Sequence, residues 1–151
     1  ADFQCPACAT NNPLIEQAVE EYKDKLLFVY RNFPLPQHNW AELAARIGVA
    51  AYNQGKFMEM SSELYQNQSE WESSSNAEKL FLKYAESLRL DMDKFKKDLA
   101  SSETKNLIEA QKQEASQAGI NSTPTIFLNK VKIQPRSYND LKQLIENELK
   151  K

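Results

Sequence analysis

Both cysteines of this 151-residue chain lie in one short stretch near its N-terminus, Asp2-Phe3-Gln4-Cys5-Pro6-Ala7-Cys8. From Leu14 to Tyr22 apolar residues recur with helical spacing, which places the cysteine pair at or just before a helix N-terminus. Unpaired backbone N–H groups and the helix dipole favour an anion there, so the pKa of a thiol should fall. Because the thiolate is the reactive form, we interpret Cys5 as the exposed attacking thiol and Cys8, one turn later, as the resolving thiol.

Two other interpretations of the cysteine pair stay open. A zinc site needs four ligands, and His38 is the one other ligand of the usual nitrogen or sulfur type. A structural disulfide, or two unrelated buried thiols, also fits the spacing. A C-x-x-C pair beside a strand-and-helix pattern is a recognised redox signature. We therefore favour dithiol–disulfide chemistry, which calls for no metal and no cofactor.

The composition is that of an ordinary globular domain, with 41% hydrophobic and 26% charged residues. A net charge of −2 argues against nucleic acid as the main partner. No apolar run approaches the ~18 residues that would span a bilayer. The length suits a single domain with its own core.

Apolar runs predict a few short strands. Ala1 to Phe3 should end a strand that leads into the cysteine motif. Residues 26–33 form a nearly unbroken apolar run, the pattern of a strand covered on both faces. Strand character returns at Thr125 to Leu128, and Asn129-Lys130 fits a two-residue turn into a partner strand at Val131 to Ile133.

Helical spacing dominates the rest of the chain. From about His38 to Ala118 it predicts helix almost throughout, with breaks at Gly55 and at Ser73 to Asn76, where a cap is available. Pro13 should kink the first helix rather than end it. Ser137 is a cap for a last helix. The inward-facing residues predicted for that helix are Tyr138, Leu141, Leu144, Ile145 and Leu149.

This order of elements resembles the DsbA-like branch of the thioredoxin superfamily. The resemblance is carried by residues 2–8, 30–35, 54–57 with Met60, and 119–125. It implies an α/β, thioredoxin-like fold in one domain, residues 1–151, with a helical insertion at residues 38–118. Relatives have a strand before the motif, and Ala1 stands after that position. We therefore expect the sheet to lack its first strand.

The resemblance also implies that Cys5 and Cys8 form a redox-active disulfide, with Pro6 and Ala7 as the active-site turn. Family oxidases commonly carry a histidine at the position of Ala7, and alanine has no side-chain hydrogen bond to give a thiolate. Asp2 lies nearby and is expected to oppose ionisation of the attacking thiol. The sequence thus predicts a milder oxidant than the strongest relatives.

A second part of the implied site lies far along the chain. The resemblance implies a cis peptide bond between Thr123 and Pro124, whose backbone groups would pair with an extended substrate peptide. His38 follows a proline-rich turn, and a lone histidine needs partners before catalysis is inferred. We therefore expect it to be a surface or capping residue.

By this resemblance the chain is a protein thiol:disulfide oxidoreductase, expected to act as a dithiol oxidase on reduced exported proteins. The alternatives are a disulfide reductase or isomerase, or a non-catalytic peptide-binding module with a structural cysteine pair. The implied location is the periplasm or the outer face of the cell membrane, with an anchor upstream of Ala1 as one arrangement. The implied partners are reduced or misfolded proteins and a membrane-bound thiol reoxidant.

Overall fold

Helices make up most of the computed structural model, which describes residues 1–151. The elements in chain order are α1 (Pro6–Glu21), α2 (Ala41–Tyr52), α3 (Phe57–Gln66), α4 (Gln68–Glu72), α5 (Ala77–Ser87), α6 (Met92–Ala100), α7 (Ser102–Gln117), β1 (Ile126–Leu128), β2 (Val131–Ile133) and α8 (Tyr138–Leu149). None of the helices is both long enough and apolar enough to cross a membrane.

The first helix begins directly at the cysteine motif. Pro6 occupies its first position, where the N–H that proline lacks would have had no helical partner. Pro13 lies inside the helix, which continues through it to Glu21, as predicted. The buried face of α1, at Ala18 and Tyr22, packs against α8 in a small second core.

Six helices, α2 to α7, follow one another between residues 41 and 117. Both predicted breaks are present: Gly55 has a φ of +72°, and Asn76 caps α5 by accepting a hydrogen bond from the N–H of Lys79. Asp91 and Ser101 cap α6 and α7 in the same way. These helices enclose the main hydrophobic core of the protein. The largest fully buried side chains in that core are Trp71, Phe3, Phe81, Phe95, Ile47, Met60 and Leu64.

The sheet is a single antiparallel hairpin. β1 pairs with β2 in the register Ile126 to Ile133 and Leu128 to Val131. Asn129 in the turn has a φ of 53°, a left-handed conformation that asparagine tolerates better than most residues. The predicted hairpin is therefore confirmed to within one residue at its start.

The two other predicted strands do not form, and this part of the sequence analysis was wrong. Segment 26–33 is extended, but its hydrogen bonds to residues 1–3 are limited to the main-chain nitrogen and oxygen of Ala1, which pair with Arg31 O and Phe33 N. Nor is the segment covered on both faces, because Leu27 is 88% and Val29 is 61% exposed. A strand needs a ladder of partners, and these two hydrogen bonds do not form one.

A cavity of about 570 Å³ separates segment 26–33 from the hairpin. Apolar side chains from both sides and from the two helices beneath line it, among them Ile15, Phe28, Ile126 and Leu141. α8 differs from the prediction at its end, because Leu149 is exposed while Leu141 and Ile145 are buried.

Candidate active site

The cysteines lie at the start of α1. Cys5 is the N-cap residue and Cys8 lies in the first turn, and both are free thiols. The expectation of an exposed Cys5 was wrong, because Cys5 is 6% and Cys8 is 4% exposed. Residues 2–4, which precede Cys5, are also buried. The chain therefore reaches Cys5 through the protein interior, and Cys5 is buried with them.

The thiol of Cys5 meets a segment 118 residues away. Its Sγ donates a hydrogen bond to the carbonyl oxygen of Thr123 at 3.5 Å. The peptide bond from Thr123 to Pro124 is cis. The structure thus brings together the two stretches that the family resemblance singled out, and the same region borders the large cavity through Cys8 and Thr123.

The pKa of Cys8 is raised from 9.0 to about 11. Burial is the main cause, because it penalises the thiolate. Negative charge on Cys5 raises the pKa further, whereas the backbone of Asp2 and the positive charge of the N-terminus lower it. Burial therefore outweighs the helix N-terminus at this position, and Cys8 is a neutral thiol at neutral pH.

Asp2 is at the centre of a buried polar network behind the cysteines. Its Oδ1 accepts the N–H of Gln4 at 2.7 Å, and its Oδ2 accepts the N–H of Leu35 at 2.9 Å. The same Oδ2 lies 2.6 Å from Nδ1 of His38. His38 is thus not the surface or capping residue that was expected. Periodicity carries no signal for a contact across 36 residues, although a lone histidine after a proline turn and an aspartate in the motif were both visible.

Two glutamines, neither of them a sequence candidate, hold the backbone of the motif. The Gln4 side chain donates to Asn39 Oδ1 at 3.0 Å and accepts the N–H of Trp40 at 2.7 Å. From α4, Gln68 donates to the carbonyl oxygens of Phe3 at 2.7 Å and Cys5 at 3.1 Å. Of these bonds, the one from Gln68 to Phe3 satisfies a main-chain carbonyl of the motif that has no strand partner.

An aromatic cluster backs the motif. The ring of Phe3 stacks on Tyr30 and tilts against Tyr65, each with a centroid distance of 5.0 Å. The two tyrosine hydroxyls are 3.1 Å apart. Burial is the main cause that raises the pKa of both phenols well above the usual value, so both stay neutral. The cysteines therefore belong to the same core cluster as these uncharged aromatic side chains.

The chain matches the family model described as Thioredoxin over residues 1–147. It is 31% identical to the probable disulfide bond formation protein D of Bacillus cereus, over 99% of this chain and 72% of that protein. It is 34% identical to the Na(+)/H(+) antiporter NhaA 1 of Mycolicibacterium vanbaalenii, over 87% of this chain. That second match spans only 21% of the antiporter's length.

A solved structure agrees with these matches. The thiol-disulfide exchange protein alpha-DsbA2 of Wolbachia pipientis superposes with a TM-score of 0.83 at 16% identity, covering 98% of this chain and 78% of that one. At that identity the likeness shows the fold. The family model and the Bacillus relative agree with this fold, and this chain belongs to the thioredoxin family.

Proposed function

We propose that this chain is a dithiol oxidase that forms disulfides in protein substrates, with Cys5 as the attacking thiol and Cys8 as the resolving thiol. The observation that carries the proposal is the difference between the two sulfurs. Cys5, at the start of α1, donates a hydrogen bond from its Sγ to the carbonyl oxygen of Thr123. Burial instead raises the pKa of Cys8 to about 11.

The proposed reaction begins with the Cys5–Cys8 disulfide. A substrate thiolate attacks Cys5 Sγ, the bond between the cysteines breaks, and Cys8 leaves as a thiolate that takes up a proton. A second substrate thiolate then attacks the substrate sulfur of the mixed disulfide, and Cys5 leaves as a thiolate. Two electrons pass to the enzyme, and the substrate gains one disulfide.

In this proposal Pro6 and Ala7 form the active-site turn, and the backbone beside Thr123 and Pro124 binds the substrate as an extended peptide. The contact between Cys5 and Thr123 supports this arrangement, because a peptide lying along that backbone would pass next to the attacking sulfur. The name of the Bacillus relative, a disulfide bond formation protein, supports the direction of the reaction.

The same groups running in reverse would reduce or isomerise disulfides, which is the second candidate. A solved structure described as a putative protein disulfide isomerase, from Nitrosomonas europaea, shares the fold with a TM-score of 0.76. Equilibration with glutathione separates the two. A couple near about −120 mV indicates an oxidase, and one near about −270 mV a reductase.

We further propose that the protein works outside the cytoplasm, where thiols are oxidised rather than kept reduced. It would act there on reduced or misfolded exported proteins. An oxidase that turns over needs an acceptor for two electrons, and a membrane-bound thiol reoxidant would meet that need by family analogy.

Oxidative refolding of a reduced, unfolded protein tests the function. Wild type should accelerate disulfide formation, and Cys5→Ser should abolish that acceleration. Cys8→Ser is the matched variant: it keeps the attacking thiol, so incubation with a disulfide-bearing peptide should accumulate a mixed disulfide at Cys5. If Cys5→Ser accelerates disulfide formation as much as wild type, Cys5 is not the attacking thiol and the proposal is wrong. If wild type gives no acceleration although it binds the unfolded protein, the chain is a peptide-binding module and the oxidase proposal is wrong.

A further inference from the structure

A buried, hydrogen-bonded pair of Asp2 and His38 lies directly behind the cysteine turn, and the exchange reaction does not use it. The side chain of Asp2 is 0% exposed and that of His38 is 18% exposed, with Oδ2 and Nδ1 separated by 2.6 Å. Because a carboxylate can only accept, Nδ1 of His38 donates the hydrogen bond. A carboxylate is costly to bury unless it is paired and hydrogen-bonded. This one is fully paired, three residues before Cys5.

The backbone of Asp2 bears on both cysteines. Its carbonyl oxygen accepts the N–H of Cys5 at 3.2 Å. Its backbone also lowers the pKa of Cys8, and all three residues are buried. A rotation of the Asp2 backbone would therefore change the surroundings of both cysteines.

The side chain of Asp2 fixes that peptide from outside the motif. Oδ2 binds two groups of the loop that follows segment 26–33, the backbone N–H of Leu35 and the ring of His38. Oδ1 binds the backbone N–H of Gln4. The carboxylate thus links the motif to the loop at residues 35–38, and His38 supplies the one side-chain partner that can carry a positive charge.

The charge of Asp2 also reaches the interior beside Cys8. The carboxylate contributes to the raised pKa of Tyr30 and of Tyr65, and both phenols also respond to charge on Cys8. Asp2, the two phenols and Cys8 therefore share one low-dielectric region. In such a region an uncompensated negative charge disfavours a second one.

We propose that Asp2 and His38 are positioning residues that set the redox equilibrium of the Cys5–Cys8 couple, an inference that rests on the proposed function. His38 compensates the Asp2 carboxylate and holds it in place. Without His38, the carboxylate opposes thiolate formation and the dithiol form loses stabilisation. Without the charge of Asp2, thiolate formation is favoured and the dithiol form gains stabilisation.

The test measures the equilibrium of each variant with reduced and oxidised glutathione, in which two glutathione thiols reduce the Cys5–Cys8 disulfide and form one glutathione disulfide. His38→Phe should shift the equilibrium constant at least about threefold toward the protein disulfide, and Asp2→Asn at least about threefold toward the dithiol. Threefold corresponds to roughly half a pKa unit. Opposite signs from two substitutions in one hydrogen-bonded pair are the signature of a charge effect.

Asn39→Ala is the matched control, because it removes a neutral hydrogen bond between the same loop and Gln4. It should leave the equilibrium constant unchanged. If all three variants shift it in one direction, the pair acts only through loop packing and the inference is overturned. Folding of each variant is checked by its thermal transition. If His38→Phe does not fold, His38→Asn, which keeps an N–H donor, should shift the constant in the same direction.

The two proposals fail in different ways. A wild-type protein that reaches no reversible equilibrium with glutathione contradicts the proposed function, and this inference with it. If the wild-type protein equilibrates, and the folded His38 and Asp2 variants have the same equilibrium constant, only the inference about Asp2 and His38 is overturned.

Discussion

At the scale of single residues, two effects compete at Cys8. It lies in the first turn of α1, where the helix dipole favours a thiolate. It is also 4% exposed, and burial raises its pKa to about 11. The dipole does not offset the desolvation of the sulfur. A helix start therefore does not by itself make a reactive cysteine when the sulfur is buried.

This competition predicts a slow Cys8. In Cys5→Ser, alkylation of Cys8 by iodoacetamide at pH 7 should run about two orders of magnitude slower than alkylation of a free cysteine. A thiol with a pKa of about 11 has a correspondingly smaller thiolate fraction than one near 8.5. Cys8→Ser provides the comparison, and its Cys5 should react faster than Cys8. Equal rates at the two cysteines would contradict the proposed division of roles.

The same shift predicts a loss of stability in alkali. Below pH 9, Cys8 keeps its proton in both the folded and the unfolded chain, so its contribution is fully present. As the pH rises from 9 toward 11, the unfolded chain ionises first, and folding loses about 2 to 3 kcal/mol. Urea unfolding of Cys5→Ser is compared with that of Cys5→Ser/Cys8→Ala. Because both variants keep the tyrosines, the difference between them isolates the contribution of Cys8. Parallel stability curves between pH 8 and 11 would contradict it.

The residues of the site differ in how far the sequence could reveal them. Cys5, Cys8 and the Thr123–Pro124 bond were identified because they occur in motifs. Asp2 was visible and was expected to oppose ionisation of the attacking thiol, but the sequence could not show that His38 lies 2.6 Å from it. Gln68 has no motif at all, and its two hydrogen bonds to the motif backbone exist only because α4 packs there.

At the scale of elements, α2 is fitted closely to the cysteine motif. Gly48 lies in the buried part of this helix, and a Cβ built there would be 2.9 Å from Cε2 and 3.2 Å from Cζ of Phe3. Phe3 is held in turn by its stack on Tyr30. The glycine thus allows a close approach between the helix and the ring that leads into the motif.

Gly48→Ala should destabilise the fold by up to about 2 kcal/mol. The alanine gains roughly 1 kcal/mol in helix propensity, but overpacking against a ring that cannot move costs about 1 to 3 kcal/mol. Urea unfolding measures the difference. In a Phe3→Leu background the clash is relieved, and the same substitution should become neutral or stabilising. A destabilisation of equal size in both backgrounds would show that Phe3 is not the cause.

Segment 26–33 shows why some elements could not be predicted. Its apolar composition indicated a strand covered on both faces, yet Leu26, Phe28 and Tyr30 are half-buried while Leu27 and Val29 are exposed. Composition reports that a segment suits a sheet, whereas the ladder depends on neighbours that lie far away in sequence. The helices needed no such neighbours, and their breaks and caps followed from local residues such as Asn76.

At the scale of the whole molecule, the motif and the extended segment join the helical block through polar contacts as well as the core. On α7, Gln111 is buried, and its Oε1 accepts two hydrogen bonds from Asn32, from the backbone N–H and from Nδ2, each at 2.8 Å. One turn later, Glu114 pairs with Arg31 on the surface. One interface therefore offers a buried contact and an exposed one between the same two segments.

These two contacts should differ widely in energy. Gln111→Leu leaves two buried donors of Asn32 without a partner and should lower the free energy of unfolding by about 2 kcal/mol or more. Gln111→Glu keeps an acceptor oxygen and should recover most of that loss. Glu114→Ala breaks only the exposed ion pair with Arg31 and should cost less than about 1 kcal/mol. Urea unfolding ranks the three variants, and comparable losses for Gln111→Leu and Glu114→Ala would mean that the buried bonds do not hold α7 to segment 26–33.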